Sequence, residues 1–403
     1  MLIDFKFKNF KSFKNEVVFS MEPTSHNGKP VNEIETKFKD IKTVFRTSAV
    51  FGANASGKSN FIDALIFLRL MVGSSYSNAI DSKLKFEKYA LGGEDEQLSS
   101  FEVRYIKDEY IYKYGFTLDN HKIYKEFLYY TDNKSSSEKL IFERSLNEKD
   151  ELVHSAHNSD IIPNDGWMKE VISTRLFLSE LVNNRNNSNS HILNAYIGIT
   201  EFMILKSKYD IADAETLHRL DNDKENIIQF LNKADFNICN IKIKDLGIDD
   251  IFKMRNYELF STHKTEDGRE VDFNFNSFES DGTKIVFALS GLVIRALQEG
   301  ITLIIDEMDK SLHPLLVKYI TNMFNNPETN KKNAQLIFTS HSHYLMDGET
   351  LSRDQIWFTS KENGFYSQLY SLSDFKELKR KKDRFYNEYM YGIFGAIPNV
   401  KED

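Results

Sequence analysis

The stretch "SAVFGANASGKSNFIDAL", Ser48 to Leu65, decides the fold. It opens on a short apolar run (Ala49, Val50, Phe51), passes through a glycine-rich turn and continues into Phe61, Leu65, Leu68 and Val72. Those four recur at i, i+4, i+7 and i+11, the stripe of a helix buried on one side. The pattern GxxxxGK[ST] is met at Gly52, Gly57, Lys58 and Ser59. A strand that ends in such a turn and feeds a helix aims backbone N–H groups and a helix dipole at an anion. Asn54, Ala55 and Ser56 complete the loop, and Asn60 follows it. Lys58 is placed to reach the β- and γ-phosphates of a nucleotide, and the Ser59 hydroxyl to bind Mg²⁺.

The rest of the chain bounds the reading. At 403 residues, 41% hydrophobic and 28% charged, it has an ordinary globular composition with length for two or three domains. No run approaches the roughly 18 apolar residues of a membrane span, and "MLIDFKFKNF" lacks a signal-peptide pattern. A single cysteine, Cys239, leaves no internal disulfide and suits a reducing cytosol. The net charge of −8 disfavours nucleic-acid binding by the whole surface. A local basic run, "KELKRKKDR" at 376–384, reads as either a solvated helical face or a nucleic-acid patch.

Two further segments carry chemistry. "ITLIIDE", 301–307, reads as a fully buried parallel strand that brings Asp306 and Glu307 to its C-terminal edge, where α/β sheets bind ligands. Asp306 is then a Mg²⁺ ligand and Glu307 the general base that polarises water; alone, the pair could equally be a helix cap. Upstream, "ESDGTKIVFALSGLVIRALQEG", 279–300, reads as a helix that stops at Gly300. Ser280, Gly282 and Thr283 mark its start, either as an ordinary serine cap or as a second anion site. "SLHP", 311–314, precedes another helix, which Pro314 opens. "QLIFTSHSHYLMD" reads as a buried strand ending at His341; His341 and His343 could instead form a metal pair, although no third ligand has metal-like spacing.

In this order the pieces resemble the ABC-type ATPase superfamily, with "ESDGT" at the place of the signature loop, "SLHP" at the D-loop and His341 at the switch histidine. The resemblance implies ATP and Mg²⁺ as ligands and a homodimer or higher homo-oligomer in which two ATP molecules lie between two heads. Each signature loop would contact the γ-phosphate held by the opposite subunit. The opening "IDFKFKNFKSF" resembles the chromosome-maintenance and RecF-like branch, which would put Lys11 and Ser12 near the nucleotide; otherwise they end an exposed strand. Gln97 is the one plausible residue for a transporter-type glutamine loop.

The chain resembles most closely the AAA15/AAA21 ATPases of bacterial abortive-infection and anti-phage operons, the AbiL- and Rlo-type ATPases. The β-rich segments "SFEVRYI", "EYIYKYGFTL", "HKIYKEFLYY" and "EKLIFERS", the S-D-G-T signature and the tail "DQIWFTSK…GIFGAIPNV" carry that likeness. Ser340 departs from the usual threonine before the switch histidine.

The expected fold class is α/β: a P-loop NTPase of ABC-ATPase type, with a mixed sheet, an antiparallel β subdomain and a helical insertion. The expected division is 1–166 (P-loop and antiparallel segments), 167–250 (a helical lid or docking arm) and 251–403 (signature, acidic strand, D-loop and switch histidine). "HILNAYIGITEFMILKS" is read there as one helix. A nuclease domain needs about 100 residues, and only about 50 follow "SHYLMD". An Arg-x4-His RNase motif is not met, since five residues separate Arg185 from His191. The expectation is a cytoplasmic, membrane-free Mg²⁺-ATPase that controls a separately encoded effector, a nuclease or toxin. A RecF-like ATPase that clamps DNA, and an ATP-locked scaffold, are the competing readings.

Overall fold

The apolar runs that end in motif residues become the strands of one buried sheet. A computed structural model describes the chain except residues 25–29, 81, 93–97, 148, 150, 165, 186, 207–209, 235, 249–254, 311, 376–384 and 399–403. Gln97, Ser311 and the basic run 376–384 therefore lie outside the described residues. The sheet has six strands, in the order Met203–Lys206, Thr302–Asp306, Gln335–Thr339, Thr47–Gly52, Ile356–Glu362 and Tyr366–Ser371. The first five run parallel and the last pairs antiparallel at the edge. The three strands at its centre that carry motif residues are buried along their whole length, as strands covered on both faces must be.

Because side chains alternate along a strand, this sheet divides two hydrophobic cores. Val50, Ile304 and Ile337 join the first, with the helix Lys58–Ser74 and a seven-stranded antiparallel sheet. That sheet runs Leu152–His157, Lys139–Leu146, Ile123–Asp132, Tyr110–Leu118, Ser99–Lys107, Leu2–Lys8 and Val17–Ser20, so all four expected β-rich segments are strands in it. Ala49, Phe51, Leu303, Ile305, Leu336 and Phe338 face the second core, built on the helices Asp281–Glu299, Pro314–Asn325 and Asp210–Lys233. A three-stranded antiparallel sheet, from Asn240–Ile248, Arg255–Lys264 and Glu270–Asn274, leads into the helix that starts at Asp281.

The stretch 167–250 contributes to both cores. Leu178, Leu181, Ile192, Ala195 and Ile199, from Phe177–Asn183 and Ser190–Thr200, pack into the first core around the P-loop helix. The helix Asp210–Lys233 lies against Asp281–Glu299, close enough that a Cβ on Gly291 would stand 2.5 Å from Thr216 Oγ1. Between them, the single helix expected through "EFMILKS" ends at Thr200, and Met203–Lys206 is an edge strand parallel to Leu303–Asp306. So short a run has no periodicity of its own, and here pairing with a strand a hundred residues away decides its state.

Candidate functional site

The loop after Thr47–Gly52 takes positive-φ backbone conformations, two of them at glycines. Gly52 has φ 153°, Ala55 φ 59° and Gly57 φ 123°. Space imposes the same demand. A Cβ on Gly52 would lie 2.4 Å from the Thr359 carbonyl oxygen, and one on Gly57 2.5 Å from Ser367 Oγ. The C-terminal hairpin Ile356–Glu362/Tyr366–Ser371 thus presses on the loop from outside. Ser56 is tied to that hairpin through its hydroxyl, 2.6 Å from Thr359 Oγ1. Asn54 and Ala55 are exposed on the crown of the loop, while Ser56, Gly57 and Lys58 are buried and Ser59 and Asn60 half-buried. Gly57 contributes no side-chain cap to the helix Lys58–Ser74, so the helix N-terminus keeps its backbone donors for another acceptor.

Lys58 is 5% exposed and donates from Nζ to the carbonyls of Gly52 (2.8 Å) and Ala53 (3.0 Å). Burial pushes its ammonium down to about 8, against the opposing pull of Asp306, Glu307 and Asp309. Those carboxylates stand at the end of the strand Thr302–Asp306 and in the turn that follows it. Asp306 is buried, and its Oδ1 accepts from Thr339 Oγ1 at 2.6 Å. Glu307 follows in a left-handed conformation, φ 51°, with its backbone N–H donating to the same Thr339 Oγ1 at 2.7 Å. Its carboxylate pairs with Lys310 Nζ at 3.3 Å. The His341 N–H donates to the carboxylate of Asp309 at 3.1 and 3.0 Å. Burial and then the nearby Lys58 charge hold the His341 imidazole below its ordinary pKa, favouring the neutral ring.

Lys58, Asp306, Glu307 and His341 therefore meet at the C-terminal edge of the parallel strands. Ser12 joins the opening of the P-loop helix, since its hydroxyl accepts from Asn60 Nδ2 and from Ser367 Oγ, each at 2.7 Å. Lys11 turns away from the loop. It has φ 49° and its Nζ pairs with Asp63 Oδ2 at 2.6 Å, a turn along the helix, where Lys206 binds the other oxygen of Asp63. Ser280 caps the helix Asp281–Glu299, accepting from Thr283 N at 3.1 Å and lying 2.8 Å from Thr283 Oγ1. Gly282 lies in the first turn of that helix. Among the described residues no hydrogen bond links Ser280, Gly282 or Thr283 to the P-loop of the same chain.

The sequence reading missed Thr339, Asp309, Thr359 and Ser367. Two carried a signal: Thr339 is the polar end of "QLIFT", and Asp309 follows the acidic pair by two residues. Thr359 lies in the tail stretch "DQIWFTSK" and Ser367 beyond it, but no residue spacing there pointed to the phosphate loop.

A Mg²⁺ ion fits the donors present: a helix-start hydroxyl at Ser59 and one buried carboxylate, Asp306, with one of its oxygens already oriented by Thr339. Mg²⁺ commonly takes one or two protein carboxylates and completes its shell with phosphate and water. Among the described residues no group of three or more His, Cys, Asp or Glu could hold a metal, so the His341/His343 pair has no third ligand. No helix among them is long and apolar enough to cross a membrane.

A parallel sheet edged by a P-loop, an acidic strand end and a histidine-bearing strand end, beside an antiparallel β subdomain, defines a P-loop ATPase head of ABC type. The family AAA_21, described as "AAA domain, putative AbiEii toxin, Type IV TA system", matches residues 48–347, and the chain belongs to it. Among solved structures the chain is similar to an SMC head bound to the C-winged helix domain of ScpA, at 15% identity and a TM-score of 0.43, covering 92% of this chain and 97% of that one. It is also similar to the SMC head domain from Thermotoga maritima (13%, TM-score 0.42, 92% and 98%) and to the recombination mediator RecF bound to ATPrS (13%, TM-score 0.35, 92% and 98%). No curated protein matches the chain in sequence.

Proposed function

We propose that the chain is a Mg²⁺-dependent ATP hydrolase whose heads pair around two ATP molecules, and that this pairing controls a separately encoded effector in bacterial anti-phage defence. One observation carries the proposal. Lys58, Asp306, Glu307 and His341 converge at one sheet edge, while among the described residues no hydrogen bond joins the Ser280–Thr283 turn to the P-loop of its own chain. A turn offering backbone donors and a helix dipole, and not bonded to its own P-loop among the described residues, is suited to serve a partner's nucleotide.

In this reading the N–H groups of residues 54–59 cradle the phosphates, and Lys58 exchanges the Gly52 and Ala53 carbonyls for phosphate oxygens. Bound Mg²⁺ would supply charge neutralisation at the phosphates, held by Ser59 and Asp306. Glu307 accepts a proton from the attacking water, which its half-exposed carboxylate can reach from solvent. His341, held neutral, can either donate or accept a hydrogen bond at the γ-phosphate. The defence role rests on the family and its resemblances, and on no geometry.

The test is Glu307→Gln beside the parent, measuring phosphate release and, by light scattering, mass with ATP and Mg²⁺. Turnover should fall about 10²–10⁴-fold, the ordinary worth of a general base, while ATP-dependent dimers persist longer than the parent's. A parent that turns over at full rate as a strict monomer would overturn the sandwich. For the biological role, the chain expressed with its neighbouring reading frame should protect cells from phage, and Lys58→Ala should remove that protection.

A further inference from the structure

Thr339 occupies the last position of the strand Gln335–Thr339, fully buried, with a hydroxyl that serves two motif residues at once. A threonine hydroxyl has a single proton and two lone pairs. The proton of Thr339 goes to Asp306 Oδ1, 2.6 Å away. A lone pair of the same oxygen then receives the Glu307 N–H at 2.7 Å. The Thr339 carbonyl takes the next donor along, Met308 N–H, at 3.0 Å. One residue thus fixes a side chain and two successive backbone groups across 306–308.

Two residues further along each segment the dependence is returned. Asp309 receives the His341 N–H on both carboxylate oxygens. The acidic turn and the switch turn are therefore clasped at two points, Thr339 holding 306–308 and Asp309 holding 341. Between them stands Glu307, a non-glycine residue at φ 51°. Such a backbone persists only where its surroundings over-determine it, and the Thr339 hydroxyl accepts the Glu307 N–H there.

We propose that Thr339 is a positioning residue for ATP hydrolysis. Its hydroxyl aims Asp306 at the cation site and holds Glu307 in the backbone conformation from which its carboxylate acts, so a shift of the switch strand is felt at the base. The proposal rests on the hydrolase reading above but adds a residue outside its catalytic set.

The decisive comparison is Thr339→Val with Thr339→Ser, in the full-length protein. Valine preserves shape and β-branching and removes both hydrogen bonds, whereas serine preserves the hydroxyl. In Val, kcat should fall at least tenfold with KM for ATP within about twofold, and the Mg²⁺ concentration for half-maximal binding of a fluorescent ATP analogue should rise severalfold. Ser should restore at least half of the parent kcat and the parent Mg²⁺ dependence. A role confined to packing would move the melting temperature without this split and without rescue by serine. Val with parent-like kcat and Mg²⁺ dependence overturns the proposal, and so does a Ser variant as impaired as Val. Should Val fail to fold, Thr339→Cys, whose thiol is a weak hydrogen-bonding group, is read the same way: parent-like kcat in Cys overturns the clasp. The two readings fail separately. If the parent releases no phosphate but Mg²⁺-dependent analogue binding weakens in Val and recovers in Ser, the clasp stands and the hydrolase reading falls. If the parent hydrolyses ATP and Val matches it, the clasp alone falls.

Discussion

Replacing Lys58 by methionine should stabilise the nucleotide-free protein at neutral pH and destabilise it at high pH. Burial displaces the ammonium from an ordinary 10.5 to about 8. At 1.36 kcal/mol per pH unit, that displacement corresponds to about 3 kcal/mol that the folded state carries against itself. Because the folded pKa is the lower one, the whole penalty is present below pH 8, shrinks between pH 8 and 10.5, and is gone above. Methionine fills similar space without charge and so escapes the penalty. It also abandons the Gly52 and Ala53 carbonyls, at about 1 kcal/mol each. The balance is a variant more stable than the parent by about 1 kcal/mol at pH 7 and less stable by about 2 kcal/mol at pH 10.5. The assay is thermal unfolding of both proteins without nucleotide across that range, followed by addition of ATP and Mg²⁺. The parent should gain stability from ATP by mass action and the variant should gain none. ATP affinity of the parent should also weaken above pH 8, by up to tenfold per pH unit, since binding then requires a proton to be taken up. A methionine variant that is less stable at pH 7, with a difference that does not change sign as pH rises, would refute the claim that the buried Lys58 charge costs the nucleotide-free protein stability.

Two further perturbations bear on the scaffold around the site. In Gly57→Ala the new Cβ would meet Ser367 Oγ at 2.5 Å at φ 123°, so affinity for an ATP analogue should fall more than tenfold. Adding Ser367→Gly should recover only part, because the steric clash is relieved and the backbone strain is not; full recovery would mean that the conformation is unimportant. In the antiparallel subdomain, Glu126 accepts from Phe177 N (2.6 Å), Leu178 N (3.0 Å), Tyr114 OH (2.9 Å) and Arg144 Nε (3.0 Å), with both charges essentially buried. Glu126→Gln strands the Arg144 charge and should cost about 3–5 kcal/mol in unfolding free energy, whereas a loss below about 1 kcal/mol would show that Arg144 finds another partner.

What could be read in the sequence was local in the chain. The P-loop needs neighbouring residues in fixed order, and its strand, turn and helix all lie where the pattern puts them. The same holds for the buried strands before Asp306 and before Ser340, for the helix that Ser280 caps and left-handed Gly300 ends, and for the one that Pro314 opens. Each is dictated by periodicity or by a backbone preference of one residue. What could not be read was the company these pieces keep. Lys11 is adjacent in sequence to Ser12, yet the one pairs with Asp63 and the other accepts from Ser367, 355 positions away. Met203–Lys206 has the composition of a helix end and becomes a strand because Thr302–Asp306 offers it an edge. Thr339 looked like the terminus of an apolar run, and its importance appears only when Asp306 and Glu307 arrive from an adjacent strand. A motif supplies the groups that touch the ligand, because the ligand's geometry demands them in one order. The residues that hold those groups at the right angle are chosen by whichever strand folds beside them. Sequence patterns therefore name the participants of such a site more readily than the bonds that aim them, and substitutions at Thr339, Ser367 or Thr359 should perturb turnover while leaving every recognisable motif intact.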